Sequence, residues 1–272
     1  MTQTRYTLSA AALIGAALAI LPATPAAAQE DERGWILSVG GGPQVFPKYP
    51  GAEDVGIYAM PIIDLYREGD PLPFEAPDEG AGFGFLGSDS PFDFGPALTF
   101  QNKRRDEDVG APVGEVDLTV EAGAFAELFI GENFRLRAEG RKGLGGHDGW
   151  VGDLAADLIL RDRDTYIFSI GPRARIADGN FHDAYFSVTP AVAAATGLPA
   201  FNAGSGIHAV GVIAGIKYKF NRNWGLYGYA GYDRLMGDAA DSPIVRTFGS
   251  RDQFSGGIGI FYSFSVGDLF GG

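Results

Sequence analysis

Two histidines, each followed directly by an aspartate, are the residues of this chain best suited to acid–base chemistry. They are His147 with Asp148 and His182 with Asp183, both in segments predicted to be outward loops. A histidine beside an aspartate can activate a loop serine such as Ser242, which would make the protein a hydrolase. Such a site needs a three-dimensional arrangement that spacing alone does not provide. The sequence therefore leaves a hydrolase open as an alternative and favours solvated histidines without a catalytic role.

Residue spacing predicts no metal, cofactor or phosphate site. The three histidines follow neither an HxH nor an HxxxH pattern, and the chain has no cysteine, so the usual zinc ligand sets are missing. The glycines of GLGGHDG (143–149) lack the strand–turn–helix context of a phosphate-binding loop. The run RRDED (104–108) offers carboxylates that a divalent cation could bridge to lipopolysaccharide, although a solvated loop is the simpler interpretation. We expect no catalytic residue, no cofactor and no bound metal.

Most of the charged residues lie instead on one side of alternating segments. In VDLTVEAGAFAEL (116–128), valine, leucine and alanine hold the even positions, while Asp117, Glu121 and Glu127 hold odd ones. A period of two indicates a β-strand, and strands of about 9–11 residues suit a tilted crossing of a bilayer. We therefore predict that the even-numbered face meets lipid and the acids line a lumen. Similar alternation recurs in 134–143, 150–160, 165–175, 209–220 and 253–264.

The connections between these segments predict an all-β, up-and-down antiparallel transmembrane β-barrel. Tight turns at 130–134, 161–164 and 220–224 alternate with long segments, as periplasmic turns and extracellular loops do in such barrels. A soluble sandwich would alternate in the same way, but the strand length, the turn asymmetry and the 41 glycines favour the barrel. Aromatic residues beside the turns are candidates for interfacial girdles: Trp35, Tyr66, Trp150, Tyr166, Phe220 and Trp224.

The strand count depends on the proline-rich region 67–92. Ten strands are clear, and the region could be one long periplasmic connection or could hold two short strands, LPFEA (72–76) and GAGFGFLG (80–87). Because both termini belong in the periplasm, the count must be even. We predict twelve strands, with ten as the alternative. In the longest loop, Thr189 as N-cap, Pro190 at the first helical position and Gly197 at the end predict a short helix.

The N-terminus and the charge determine the compartment and exclude one class of partner. Arg5, the apolar stretch 8–21 and the small residues before Gln29 form a secretory signal peptide, 1–28, which leaves 29–272 as the mature barrel. The mature chain has 20 basic against 34 acidic residues, a net charge of −14. Nucleic acid is excluded, because phosphate binding needs clustered Lys and Arg. We expect the outer membrane of a Gram-negative bacterium, with contact to its lipid and lipopolysaccharide.

The predicted lumen should hold ion pairs between neighbouring strands. The tight turn at 130–133 places Glu127 opposite Arg135 or Arg137, and the turn at 161–164 brings Asp153 near Arg173 or Arg175. Opposite charges across a strand pair contribute roughly 0.2–1 kcal/mol relative to alanine pairs. Such pairs could close the interior, which would argue against an open pore.

Several motifs resemble those of the MltA-interacting protein (MipA/OmpV) family, across roughly 35–264. They are YPGAEDVGIYAMPIIDLY (49–66), FGPALTF (94–100), RRDEDVGAPVGEVDLTVEAGAF (104–125), GGHDGWVGDLAADL (145–158), the segment 169–206, and LMGDAADSPIVRTFGSRDQFSGGIGIFYSF (235–264). The resemblance implies an outer-membrane barrel without catalytic residues. One departure is the tail SVGDLFGG (265–272), because barrels usually end on an aromatic residue and here Phe264 is followed by eight more.

For its function, the resemblance implies a non-enzymatic scaffold that joins a lytic transglycosylase to a peptidoglycan synthase. A small porin-like channel and a surface adhesin are the alternatives. Short turns offer little surface compared with the roughly 800 Å² per partner of a stable interface. We therefore predict that a basic partner binds an acidic periplasmic patch in region 67–92, formed by Glu68, Asp70, Glu75, Asp78 and Glu79.

Overall fold

The protein is a single antiparallel sheet that curls into a half-barrel. The computed structural model describes residues 34–87, 90–162 and 165–269, without the side chains of the last two. The predicted signal peptide lies outside these residues. Strands that follow one another in the chain are neighbours in the sheet, except the second and third, which form its two edges. The first strand also pairs with the last. The predicted all-β, up-and-down architecture is confirmed.

Ten long strands and one short strand make up the described sheet. Strands that are neighbours in the sheet are antiparallel and in continuous register, with one irregularity between Arg175 and Ile176. The strands are β1 (Trp35–Pro47), β2 (Val55–Arg67), β3 (Ala81–Gly82), β4 (Phe92–Gln101), β5 (Thr119–Ile130), β6 (Phe134–Gly145), β7 (Trp150–Asp162), β8 (Tyr166–Ala177), β9 (Gly206–Lys219), β10 (Trp224–Leu235) and β11 (Asp252–Ser265).

The described residues therefore hold eleven strands rather than the predicted twelve. Within the proline-rich region, only Ala81–Gly82 pairs with β4, and LPFEA (72–76) forms no strand. Proline has no N–H to donate to a ladder, and Pro71, Pro73 and Pro77 punctuate this segment. Ten of the eleven strands are long, which matches the alternative count.

The two faces of the sheet differ in polarity, as the alternation predicts. Along β5 the odd-numbered Thr119, Glu121 and Phe125 are buried inside, while Leu128 and Ile130 are exposed on the outer face. The same outward position is taken by large apolar side chains on the other long strands, among them Ile63, Phe94, Leu136, Leu154, Ile170, Ile216 and Ile258. The outer surface of the half-barrel is therefore apolar, and its inner surface carries the charges.

The predicted girdle residues divide between these faces. Trp35, Trp150, Phe220 and Trp224 are exposed on the outer surface near strand ends. Tyr66 is instead 9% exposed and packs inside the barrel, so its prediction as a girdle residue was wrong. Tyr66 lies on β2 directly after the outward Leu65, so the alternation of the strand points its side chain inward.

Long loops and short helices cover one end of the sheet, which we call the cap end; the other end, with the tight turns, is the turn end. The helices are α1 (Asp106–Val109), α2 (Gly179–Tyr185), α3 (Pro190–Thr196), α4 (Gly237–Asp241), α5 (Pro243–Phe248) and, at the turn end, α6 (Val266–Leu269). The cap has the largest apolar cluster of the described residues, which includes Phe181, Phe186, Ile244 and Val245. None of the described helices combines the length and apolarity that crossing a bilayer requires.

The predicted loop helix is confirmed as α3. The Thr189 side chain accepts a hydrogen bond from the Val192 amide at 3.3 Å, and Pro190 takes the first helical position. Gly197 ends the helix with φ of 76°, a left-handed conformation that costs glycine little. The local capping signals were thus sufficient to place this element.

Candidate functional site in the barrel interior

The connection between β2 and β3 runs through the interior of the half-barrel rather than over its rim. Residues 68–80, the plug segment, bury Leu72 at 1% and Ala76 at 3% exposure. Leu72 packs against the inward side chains of Ile159 on β7 and Ile167 on β8. Because Ile159 and Ile167 face inward, this apolar contact holds the plug segment inside the half-barrel.

Two adjacent acids fasten the plug segment to the barrel wall. Asp78 accepts hydrogen bonds from Arg173 Nε at 2.9 Å and from Arg175 Nη2 at 3.2 Å. Glu79 pairs with Arg135, whose Nη1 donates to Oε2 at 3.2 Å, and lies 3.7 Å from Arg137 Nε. Charge-assisted hydrogen bonds of this kind are roughly twice as strong as neutral ones. The plug is therefore held by two strands at once, β6 through Glu79 and β8 through Asp78.

The wall contains ion pairs of its own, set by the strand register. Glu127 lies opposite Arg137 across β5 and β6, and its Oε2 is 3.1 Å from Arg137 Nη1 and 3.2 Å from Arg135 Nη1. Asp153 lies opposite Arg175 across β7 and β8, with 3.0 Å between Oδ1 and Nη1. The structure thus brings Glu127 to both of its predicted arginines and Asp153 to Arg175.

Arg173 has different partners from those expected. Its Nη2 lies 2.8 Å from Asp157 Oδ1, and its Nε pairs with Asp78. Asp157 also binds Arg135 Nη2 at 2.7 Å, so a single carboxylate links β6 and β8 from β7. The two tight-turn hairpins are thereby joined into one network, which the hairpin-by-hairpin prediction did not include.

The five acids predicted to form a partner patch do not share one surface. Asp78 and Glu79 are bonded to the wall, and Glu75 faces the interior beside Lys217 and Tyr227. Glu68 is exposed at the turn end, where its amide donates to Gly34 O at 2.8 Å, and Asp70 lies two residues on. Glu75, Asp78 and Glu79 therefore form no exposed patch with Glu68 and Asp70. The apolar Leu72 and Ala76 turn the intervening chain inward.

Other members of the interior network were not predicted as site residues. Arg141 binds Glu121 at 2.9 Å, binds Asp153 at 2.7 Å and pairs with Glu139. At the far side, Lys217 pairs with Asp64 at 2.8 Å, and Asp233 accepts from Arg175 at 3.2 Å. The alternation had placed Glu121, Glu139 and Arg141 on the inward face. The register sets Glu121 opposite Gly143 and Arg141 opposite Gly123, so Glu121 and Arg141 meet diagonally, a contact that pairing directly opposite residues would not have found.

The three histidines are buried, and the expectation of solvated loop histidines was wrong. His147 is 3% exposed, with Nε2 3.0 Å from Glu121 Oε1. His182 is 2% exposed, and neither ring nitrogen has a hydrogen-bond partner among the described residues. Burial lowers the pKa of His182 below its ordinary value. His208 lies 5.8 Å from His182 between ring centres, near perpendicular to it.

The groups considered for a hydrolase are not assembled. Ser242 donates its hydroxyl to Phe186 O at 2.7 Å, and Asp183 accepts from Ser187 at 2.8 Å. Within the described part of the chain, no hydrogen bond joins a serine hydroxyl to a histidine ring. The geometry that a nucleophilic site requires, a nucleophile within reach of its base, is not present in these pairs.

The charge run RRDED (104–108) is not the fully solvated loop that was the simpler interpretation. Arg104 is 3% exposed. Its Nη1 donates to Tyr185 O at 2.9 Å and its Nη2 to Gly114 O at 2.9 Å. Arg104 is therefore a structural clamp between the β4–β5 loop and α2, while the acids that follow it form the first turn of α1.

Comparison with known proteins identifies the family to which this arrangement belongs. A family model described as MltA-interacting protein MipA matches residues 39–264. The chain belongs to the MltA-interacting protein family. The match runs from within β1 to the penultimate residue of β11 and includes both the plug segment and the cap, so the features described above lie within the part that defines the family. Among curated proteins, no significant relative was found.

Solved structures with a comparable arrangement are distant from this MipA-family chain. An outer-membrane channel from Pseudomonas putida F1 has 10% identity and a TM-score of 0.41, with 88% of this chain and 100% of that one covered. OmpT of Vibrio cholerae has 9% identity and a TM-score of 0.35, covering 85% and 96%. A FadL homologue of Pseudomonas aeruginosa has 10% identity and a TM-score of 0.32, covering 86% and 90%.

Proposed function

We propose that this MipA-family protein is a non-enzymatic outer-membrane barrel that acts as a scaffold between a murein hydrolase and a murein synthase. The observation that carries the proposal is the plug segment, which fills the interior and is bonded to four arginines. A filled interior favours a role in binding over one in bulk transport. The family description, which names interaction with MltA, supports a lytic transglycosylase as one partner.

The apolar outer surface supports insertion into the outer membrane. Large side chains stand outward on successive strands, and Ile57, Ile130, Leu154 and Ile258 are each about half exposed or more. Contiguous apolar surface of this extent is unfavourable in water and marks a membrane or protein contact. Between its two edge strands, every strand of the sheet is hydrogen-bonded to a neighbour on both sides, which is part of what β-structure in lipid requires.

Because most of the predicted acidic patch lies inside the barrel, we now propose that the partners bind at the turn end. Glu68 and Asp70 remain there, before the plug segment turns inward at Leu72. The helix α6 also lies at this end and contacts β1 and β11. We place the murein enzymes on this rim, where a basic partner would meet the two acids.

Site-specific crosslinking tests this proposal. Photoreactive residues at Glu68 and Asp70 should capture a lytic transglycosylase and a murein synthase in cells. A probe at Glu115 is the control, because it replaces an exposed acid in the β4–β5 loop at the cap end, and it should capture neither enzyme. Capture of partners only from Asp241 on the cap would instead favour a surface adhesin.

A small porin-like channel is the second candidate. It is favoured by a cavity of about 350 Å³ that lies between the plug segment and the cap. In that case the plug would have to leave the interior, since Asp78 and Glu79 form the floor of the cavity. Conductance of the purified protein in a planar bilayer separates the two candidates: steady, large single-channel steps would support the channel.

A further inference from the structure

The cavity between the plug segment and the cap has the size and the lining of a small-molecule site. Its volume of about 350 Å³ is within the range of about 300–1,000 Å³ that is usual for ligand pockets. The plug supplies Asp78 and Glu79, the wall supplies Arg175, Asp233 and Tyr229, and the cap supplies aromatic faces. Three separate parts of the chain thus converge on one space.

One polar side chain in the lining has no partner. His208 lines the cavity, is 8% exposed, and Nδ1 of its imidazole has no hydrogen-bond partner within the described residues. Its ring packs 5.0 Å from that of Phe181, which fixes its orientation. Buried polar groups without partners are uncommon and costly, so this ring is available to a bound molecule.

The charges of the lining specify the ligand. Three carboxylates, Asp78, Glu79 and Asp233, face one guanidinium, that of Arg175. Asp233 gives only Oδ2 to Arg175, and its Oδ1 has no hydrogen-bond partner among the described residues. The plug acids are also paired with three arginines outside the lining: Arg135, Arg137 and Arg173. In the described part of the chain, Asp233 has only Arg175, which it shares with Asp153 and Asp78. The lining therefore has more hydrogen-bond acceptors than donors among its charged groups, and more negative than positive charge.

We propose that this cavity binds a small polar cation that carries amine and hydroxyl donors, of the size of an amino sugar. The amine would meet Asp233, the hydroxyls would bond His208 and the neighbouring carboxylates, and Tyr229 and Phe181 would pack against the ring. Apolar rings with a few convergent polar groups are the usual composition of such sites. The net negative charge of the chain, −13 in total, would favour the approach of cations.

Three sugars of matched shape and different charge test the proposal. Binding of glucosamine, glucose and glucuronate to the purified protein is measured by titration calorimetry at pH 6.5. We expect glucosamine to bind at least about tenfold more tightly than glucose, and glucuronate more weakly than either, because the carboxylates of the lining outnumber its single guanidinium and attract a positive charge. Equal affinity for glucosamine and glucose, or no binding of any of the three, would overturn the proposal.

Two variants locate the site. Asp233→Asn removes one charge at nearly constant volume and should lower glucosamine affinity about tenfold, to the level of glucose. Asp252→Asn is the matched control on the neighbouring strand, because that carboxylate is exposed and bound to Arg234 outside the cavity; its affinity should be unchanged. Compact gel mobility before boiling shows that both variants are folded. Equal losses in the two variants would place the binding elsewhere.

Discussion

At the residue scale, the interior is organised around buried charges that each have several partners. Removing one member leaves the others without full compensation, which is costly in a buried setting. Glu121 shows this most clearly, because it is 3% exposed and serves both Arg141 and His147. Replacing Glu121 with serine would cost little stability if this acid were solvated. Glu121 is buried, so we expect its replacement to destabilise the protein.

Glu121→Gln should therefore destabilise the barrel. The variant keeps the side-chain size but loses the charge that Arg141 and His147 meet, and a hydrogen bond to a charged group contributes about 1.5–3 kcal/mol. The temperature at which the unboiled protein loses its compact gel mobility should fall. Glu115→Gln is the control, since Glu115 is exposed and should leave that temperature unchanged. An equal temperature for the two variants would contradict the role assigned to Glu121.

His182 should make the cap sensitive to acid. Burial holds the pKa of His182 in the folded protein below the ordinary value of 6.5. At pH values between the pKa of the folded protein and that of the unfolded chain, the unfolded chain therefore binds the proton more readily. The stability is full above pH 6.5 and decreases as the pH falls below it. His182→Leu should reduce the loss of thermal stability between pH 7.5 and pH 5. The same loss in the variant would show that other groups are responsible.

At the scale of the elements, alternation decides which face each strand presents. Val120 is outward on β5, between the inward Thr119 and Glu121. The strand begins at Thr119 rather than at Val116, which lies buried in the cap and bridges Arg104. The alternating pattern thus continues in sequence beyond the point where the sheet ends.

Ala124→Arg should prevent assembly of the barrel. Ala124 is exposed in the middle of β5, and an arginine on the lipid face near the bilayer midplane costs about 2–4 kcal/mol, a cost that falls toward the interfaces. Leu118→Arg is the matched control, because Leu118 is also exposed but lies just outside β5 at the cap end. The amount of heat-modifiable protein in the membrane fraction is the measurement. Normal assembly of Ala124→Arg would contradict the assigned face.

Release of the plug segment should open the interior. The double variant Asp78→Asn, Glu79→Gln removes the charges that fasten the plug segment to Arg173, Arg175 and Arg135, while these arginines keep their carboxylate partners in the wall. The charge-assisted hydrogen bonds that hold the plug are lost, so its closed position is weakened. We expect discrete conductance steps in a planar bilayer, with little steady conductance in the unmodified protein. Glu68→Gln with Asp70→Asn neutralises the same number of charges near the turn end and should remain closed. Steps of equal size in both double variants would rule out the plug as the barrier.

At the scale of the whole molecule, the predicted export signal and the apolar outer surface should together determine where the protein is located. The mature protein should begin at Gln29 and fractionate with the outer membrane, because its apolar outer surface needs lipid. It should also migrate differently on gels before and after boiling, as folded barrels with extensive strand-to-strand hydrogen bonding resist detergent. N-terminal sequencing and fractionation are the measurements. Intact protein in the soluble periplasmic fraction, without a gel shift, would contradict the membrane barrel.

The amino-acid sequence by itself determined the features that depend on neighbouring residues. The period of two assigned the faces of β5, and the tight turn at 130–133 placed Glu127 opposite Arg135 or Arg137 because a short turn leaves little freedom of register. The cap at Thr189 and the glycine at 197 placed α3 in the same way. Family membership also followed from motifs that span the chain.

Only the tertiary structure decided where the chain between β2 and β3 runs. Region 67–92 is rich in proline and acid, which locally favours an exposed connection, and nothing within it indicates the arginines of β6 and β8. Asp78 meets Arg173 and Arg175 about a hundred residues later in the chain, and Leu72 meets Ile159 and Ile167. Those contacts arise after the sheet has curled, since curling is what brings strands distant in sequence around one interior. The burial of His182 and Arg104 has the same origin, because the cap forms only where several loops meet.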